Sequence, residues 1–130
     1  MSEKNLTLRL LNNSFAVCRL KPEESVPSWI DTRNFYSITK TKEELSIVCT
    51  QESVPSDIQC EGNWRTLQIV GPLDFSLIGI LSSVSTVLAQ QSISIFAIST
   101  YDTDYILIKD QDVTKAVEAL SRDGYRIISE

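Results

Sequence analysis

The stretch that decides the fold begins at Trp64-Arg-Thr-Leu-Gln-Ile-Val70, a run with the β-branched and aromatic content of a strand. Gly71-Pro-Leu-Asp74 breaks it. Leu77, Ile80, Leu81, Val84, Val87 and Leu88 then recur at helical spacing. Asp74 is placed to cap that helix, because its carboxylate can accept from backbone N–H groups of the first turn. Ser92-Ile-Ser-Ile-Phe-Ala-Ile98 and Tyr105-Ile-Leu-Ile108 read as two further strands joined by Tyr101-Asp-Thr-Asp104. Asp110 or Asp112 can start a last helix with Val113, Ala116, Val117 and Leu120 on one face, and Gly124 suits its C-terminal end. Tyr125-Arg-Ile-Ile128 closes the chain as a strand. The order from Trp64 is βαββαβ, which predicts an α+β fold of the ferredoxin-like kind, two helices covering one face of a four-stranded antiparallel sheet.

Working back from Trp64, the first half holds shorter β-like runs. Leu6, Leu8 and Leu10 alternate, Asn12-Asn13 reads as a turn, and Phe15-Ala-Val-Cys-Arg-Leu20 reads as the returning strand of a hairpin over 6–20. Ser28-Trp-Ile-Asp31 reads as a short helical turn, and Phe35–Thr39 and Leu45–Cys49 as strands. Punctuation at Cys60-Glu-Gly-Asn63 places a module boundary there, giving residues 1–62 and 63–130.

Composition narrows the chemistry. The chain has 130 residues, 42% hydrophobic and 22% charged, enough apolar content for a core. Lys and Arg number 12 against 17 Asp and Glu, a formal net charge of −5, which disfavours nucleic acid and anionic lipid as partners. There is no histidine, so triads, histidine-ligated zinc and proximal-His haem are excluded. Three cysteines, Cys18, Cys49 and Cys60, form no CxxC and read as reduced thiols of an intracellular protein. The N-terminus carries no apolar signal-like run, and no stretch approaches the ~20 apolar residues needed to span a bilayer. Gly71 and Gly79 form neither a dinucleotide fingerprint nor a P-loop, so no nucleotide cofactor, and no other cofactor, is expected.

Two features could carry function. Asp102 and Asp104 are paired carboxylates, a motif of acid–base chemistry, but aspartates at strand ends more often satisfy backbone donors. The start of the helix after Asp74 offers backbone N–H groups and a dipole that suit a carboxylate, and Thr100, Asp102 and Asp104 offer acceptors for an ammonium. If the two loops meet, they suit a free amino acid, which carries both charges. Trp29 and Trp64, with no basic groove around them, read as core or interface anchors.

The segment Phe75-Ser-Leu-Ile-Gly-Ile-Leu81, followed by Ile93 to Ile108 with its Ile-Ser-Thr-Tyr-Asp-Thr-Asp-Tyr core, resembles the ACT domain family. The same type of segment occurs in aspartate kinase regulatory domains and in the CASTOR arginine sensors. The resemblance implies tandem ACT-like modules, residues 1–62 being a degenerate N-terminal one and 63–130 an ACT domain. It implies a non-catalytic, cytoplasmic regulatory protein that binds an amino acid at an interface between modules or in a homodimer, and acts on a separate protein partner. Carried over residue by residue, the first ligand loop maps to Asp74, Phe75, Ser76, Leu77, Ile78, Gly79 and Ile80, and the second to Thr100, Tyr101, Thr103 and Asp104. Two positions depart from the arginine-sensor pattern: Leu77 stands where the sensor has an acid, and Asp74 where it has glycine. The first departure weakens the case for arginine itself and leaves a second reading, an interaction scaffold with a vestigial pocket.

Overall fold

The computed structural model describes residues 6–70 and 79–130, which form two compact units. One unit joins the N-terminal segment up to Asn12 to Arg65–Glu130; the other is Asn13–Trp64. The strands are β1 (Thr7–Leu10), β2 (Phe15–Leu20), β3 (Ser37–Lys40), β4 (Leu45–Thr50), β5 (Cys60–Ile69), β6 (Ile95–Ser99), β7 (Asp104–Lys109) and β8 (Arg126–Ser129). The helices are α1 (Ile80–Gln90) and α2 (Val113–Arg122), the latter preceded by a 3-10 turn at Asp110–Asp112.

In the first unit the strands follow the order β6-β7-β5-β1-β8. The predicted four-stranded sheet is thus five-stranded, because β1 inserts between β5 and β8. It runs antiparallel to β5, with Leu8 opposite Ile69 and Leu10 opposite Leu67, and parallel to β8, with Leu8 opposite Ile127. The reason lies in its alternation. Leu8 joins Leu67 and Ile69 of β5 and Ile106 and Ile108 of β7 in one core, and Leu6 and Leu10 pack against the same core. Val84 and Leu88 of α1 and Ala116 and Leu120 of α2 complete that core, so both helices lie on one face of the sheet.

The hairpin expected over 6–20 does not form. β1 and β2 do not pair with each other, and each finds its antiparallel partner in β5. At the expected turn, Leu11 is instead tied to β5: its N–H donates to the Thr66 carbonyl at 2.9 Å and its carbonyl accepts from Arg65 Nη2 at 3.0 Å. The boundary expected at 62/63 falls inside β5, and the division into 1–62 and 63–130 differs from the compact units in one element, β1.

The second unit is the sheet β3-β4-β2-β5. Its own core holds Ala16, Cys18, Leu20, Ile30, Leu45, Ile47 and Cys49, closed by Trp29, Ile38, Val54 and Ile58. Ser28 and Trp29 form a turn rather than a helical segment. Phe15 and Phe35 meet edge to face, ring centroids 6.0 Å apart.

The helix ends follow glycine geometry more than side-chain caps. α2 closes as expected: Gly124 has φ 98°, and Tyr125 N–H reaches back to the Leu120 carbonyl at 3.1 Å. Asp112 occupies the N-cap position of α2 but makes no capping side-chain bond.

Candidate functional site

The described members of the expected ligand set lie in the first unit, Gly79 and Ile80 at the start of α1 and Thr100, Tyr101, Thr103 and Asp104 between and at the ends of β6 and β7. Of the first loop, Asp74, Phe75, Ser76, Leu77 and Ile78 lie outside the described residues. Gly79 and Ile80 are described. Gly79, not Asp74, occupies the N-cap position of α1, with φ 80°. This is left-handed backbone that a residue with a Cβ adopts only at a cost. Among the described residues nothing lies within 4 Å of a Cβ built there, so the glycine answers a backbone requirement. The first intrahelical bond runs from Ser83 N–H to the Gly79 carbonyl at 2.8 Å. The amides of Ile80, Leu81 and Ser82 precede it and have no acceptor within the helix. Ile80 packs its side chain on the core. Further along α1, the hydroxyls of Ser83 and Tyr125 sit 2.6 Å apart and link the helix to the chain end.

The second loop is a closed turn. The Thr100 N–H and hydroxyl both donate to the Thr103 carbonyl, at 2.8 and 3.0 Å. Thr103 is buried, and its hydroxyl donates to the carbonyl of Ile69 at the end of β5. That bond fastens the second loop to the strand end from which the first loop departs. Asp104 opens β7 and accepts a hydrogen bond of 2.5 Å from Ser99 at the end of β6. Tyr101 is 82% exposed.

The four residues of the second loop therefore take different places. Thr103 is committed to backbone, Asp104 presents a half-buried carboxylate oriented by a hydroxyl, and Thr100 closes the turn. Sequence reasoning missed Ser99 and the Ile69 carbonyl. Ser99 lies directly before Thr100 in the quoted motif, so its place in the run was the available signal. A carbonyl partner leaves no trace in sequence.

A concavity lies wholly in the second unit. It is a cleft of about 430 Å³ lined by Asn13, Trp29, Asp31, Arg33, Asn34, Thr50, Glu52 and Ser53. Asp31 accepts from Arg33 Nε at 3.0 Å, from the Arg33 N–H at 3.0 Å and from Asn34 Nδ2 at 3.1 Å. The Arg33 side chain, then its backbone N–H and Asn34, hold the Asp31 carboxyl down at about 2. Among the described residues no group of three or more Cys, Asp or Glu side chains is arranged to hold a metal ion, and no helix is long and apolar enough to cross a membrane.

The family model for the ACT domain matches residues 59–122. Residues 59–122 are an ACT domain. Its architecture is the ferredoxin-like α+β ACT fold. A further family model, described as an N-terminal domain, matches residues 13–57. The bovine (Bos taurus) "Cytosolic arginine sensor for mTORC1 subunit 1" is 29% identical over 100 residues, covering 68% of this chain. This chain spans 30% of that relative's length. A crystal structure of a protein from Agrobacterium tumefaciens is 35% identical, with a TM-score of 0.91, covering 98% of this chain and 95% of that one. The regulatory subunit of aspartate kinase from Thermus thermophilus shares the fold at 13% identity, with a TM-score of 0.60 over 88% of this chain and 95% of that one.

Proposed function

We propose that this chain is a non-catalytic, cytoplasmic regulatory protein that binds an amino acid between two copies of itself and signals to a separate protein. The two compact units are read as two ACT-like modules, the one containing α1 and α2 carrying the ligand loops. The bond from the Thr103 hydroxyl to the Ile69 carbonyl carries this reading, because it ties the second loop to the root of the first. Such a pair can take both charges of an amino acid. The first-turn amides of α1, with the positive end of the helix dipole, suit the ligand's carboxylate. The Asp104 carboxylate, oriented by Ser99, suits a cationic group. Asp74 through Ile78 complete the first loop in this assignment, and Thr100 and Tyr101 the second. A relative named as an arginine sensor supports an amino acid as the ligand class. Leu77 in place of an acid argues against simple transfer of arginine.

Calorimetric titration of the full chain with the twenty amino acids tests the reading. One chemical class should bind, and Asp104→Asn should weaken it about 10- to 100-fold, the equivalent of one charge-assisted hydrogen bond of roughly 1.5–3 kcal/mol. The amide keeps an oxygen that Ser99 can donate to, so the variant should melt like the parent. Silence across the panel with a cooperatively folded sample overturns amino-acid binding and leaves the scaffold reading, in which a protein partner alone occupies the module.

A further inference from the structure

The three cysteines stand far apart in sequence, yet the sheet of the second unit brings them together. Cys18 is on β2, Cys49 on β4 and Cys60 at the start of β5. β2 lies between the other two strands. Cys18 and Cys60 are direct cross-strand partners, while Cys49 stands opposite Ala16, one diagonal step from Cys18 on the same face. The pairing depends on a bulge. Phe15 pairs with Trp64, and continuing that register would set Cys18 opposite Glu61. The register shifts by one residue between Phe15 and Val17, where Asn63 takes φ 63°, and Cys60 comes opposite Cys18 instead.

The hydrogen bonding fixes what kind of pair this is. Arg19 N–H donates to the Gln59 carbonyl at 3.0 Å, so 19 and 59 form a hydrogen-bonded pair. The adjacent pair, Cys18 and Cys60, is then of the non-hydrogen-bonded kind, with Cα atoms typically ~4.5 Å apart and side chains close on one face. That spacing lies within the ~4.4–6.8 Å that a disulfide spans. All three thiols are free, Cys18 and Cys49 buried and Cys60 exposed. A hydrogen bond to Cys49, burial and the neighbouring Cys60 push the Cys18 thiol up, which keeps it protonated until an adjacent sulfur is activated.

We propose that Cys60 and Cys18 form a thiol oxidation site, in which a peroxide converts the pair to a cross-strand disulfide joining β2 to β5. The exposed Cys60 thiolate attacks hydrogen peroxide. An S–O bond forms, the O–O bond breaks, and the hydroxide released takes up the proton that the Cys60 thiol gave up and leaves as one water. The Cys18 sulfur then attacks the sulfenic sulfur of Cys60. The S–S bond forms, the S–O bond breaks, and a second water leaves with the Cys18 proton. Two thiols are oxidised by two electrons and one peroxide is reduced to two waters. Cys49 stays a thiol in the apolar core of the unit.

The test treats the reduced full chain with hydrogen peroxide, counts thiols with a chromogenic disulfide, and maps links by mass spectrometry without reduction. Cleavage at arginine and lysine leaves Cys49 and Cys60 on one peptide, so a second cut at Glu52 is needed to separate them. The proposal expects two of the three thiols to disappear. It also expects a link between the Cys18 and Cys60 peptides within one chain, a mass loss of about 2 Da, and recovery with dithiothreitol. Cys60→Ser, a substitution at an exposed position, should abolish the link and retain the buried thiols. Three thiols surviving peroxide, a link from Cys18 to Cys49, a disulfide between chains, or Cys60 stopping at a sulfinic acid with Cys18 still reduced would each overturn it.

Discussion

Replacing Thr103 with valine separates the hydrogen bond that ties the Thr100–Asp104 turn to the end of β5 from simple packing. Thr103 is 6% exposed, and its hydroxyl donates to the carbonyl of Ile69, itself fully buried. Thr103→Val keeps the shape and removes the donor. A buried acceptor left without its partner costs about 1–3 kcal/mol, and the added apolar methyl returns part of that, so a net loss of about 1.5 kcal/mol is expected. Thr103→Ser keeps the donor and loses one methyl, about 0.8 kcal/mol. The order is therefore wild type, then serine, then valine, whereas hydrophobicity alone puts valine first and serine last at a buried site. With unfolding entropy near ~2.1 cal/mol/K per residue, 1 kcal/mol moves the midpoint by about 4–6 °C for a body of this size, so valine should melt roughly 6–9 °C lower. Urea and thermal unfolding of the three proteins, followed by circular dichroism, measure this. Valine equal to or more stable than wild type, with serine below both, would refute the account of how the turn is fastened to β5.

Gly79→Ala should cost about 1–2 kcal/mol although its Cβ meets nothing within 4 Å among the described residues, because the penalty comes from φ 80° itself. Gly79→Asn should recover part of it, and equal urea midpoints for all three proteins would show that the left-handed conformation is not held. The Asp31 carboxyl, held down at about 2 by the Arg33 side chain first, should remain ionised well below the ordinary carboxylate range. Its folded value lies below its unfolded one, so its contribution to stability is complete above pH ~4 and fades as pH falls toward 2. Carbon-detected NMR titration of Asp31 reads the midpoint. A value near 4 in the wild type, or no rise in Arg33→Gln, would contradict that pairing.

Much of the second half was legible because each element carries its own periodicity. α2 matches its expected apolar face at Ala116 and Leu120, and Gly124 ends it with the positive φ expected of that position. The strands β5, β6 and β7 were recognisable from their β-branched runs, with ends displaced by a few residues. The first half was harder. Leu6, Leu8 and Leu10 announce a strand but do not say which partner it takes, and the nearest one in sequence, β2, was the wrong choice. Hairpin reasoning assumes that adjacent strands close locally. Here β5 is long enough to pair with both.

Of the candidate site, the sequence singled out Thr100–Asp104 but could not separate the roles within it. Asp104 and Thr103 are both polar and one residue apart. Only the folded chain makes one a buried fastener to a carbonyl and the other a carboxylate held by Ser99.

What the sequence by itself determined is the set of local elements, the α+β class and the acidic, histidine-free chemistry, since these depend on periodicity and residue type alone. The tertiary structure decided the insertion of β1 between β5 and β8, the bond from Thr103 to Ile69, and the meeting of Cys18 with Cys60 across a bulged register. Each of these joins residues far apart in the chain. Strand partner and register are chosen by the core that the assembled sheet can bury, which no local pattern encodes.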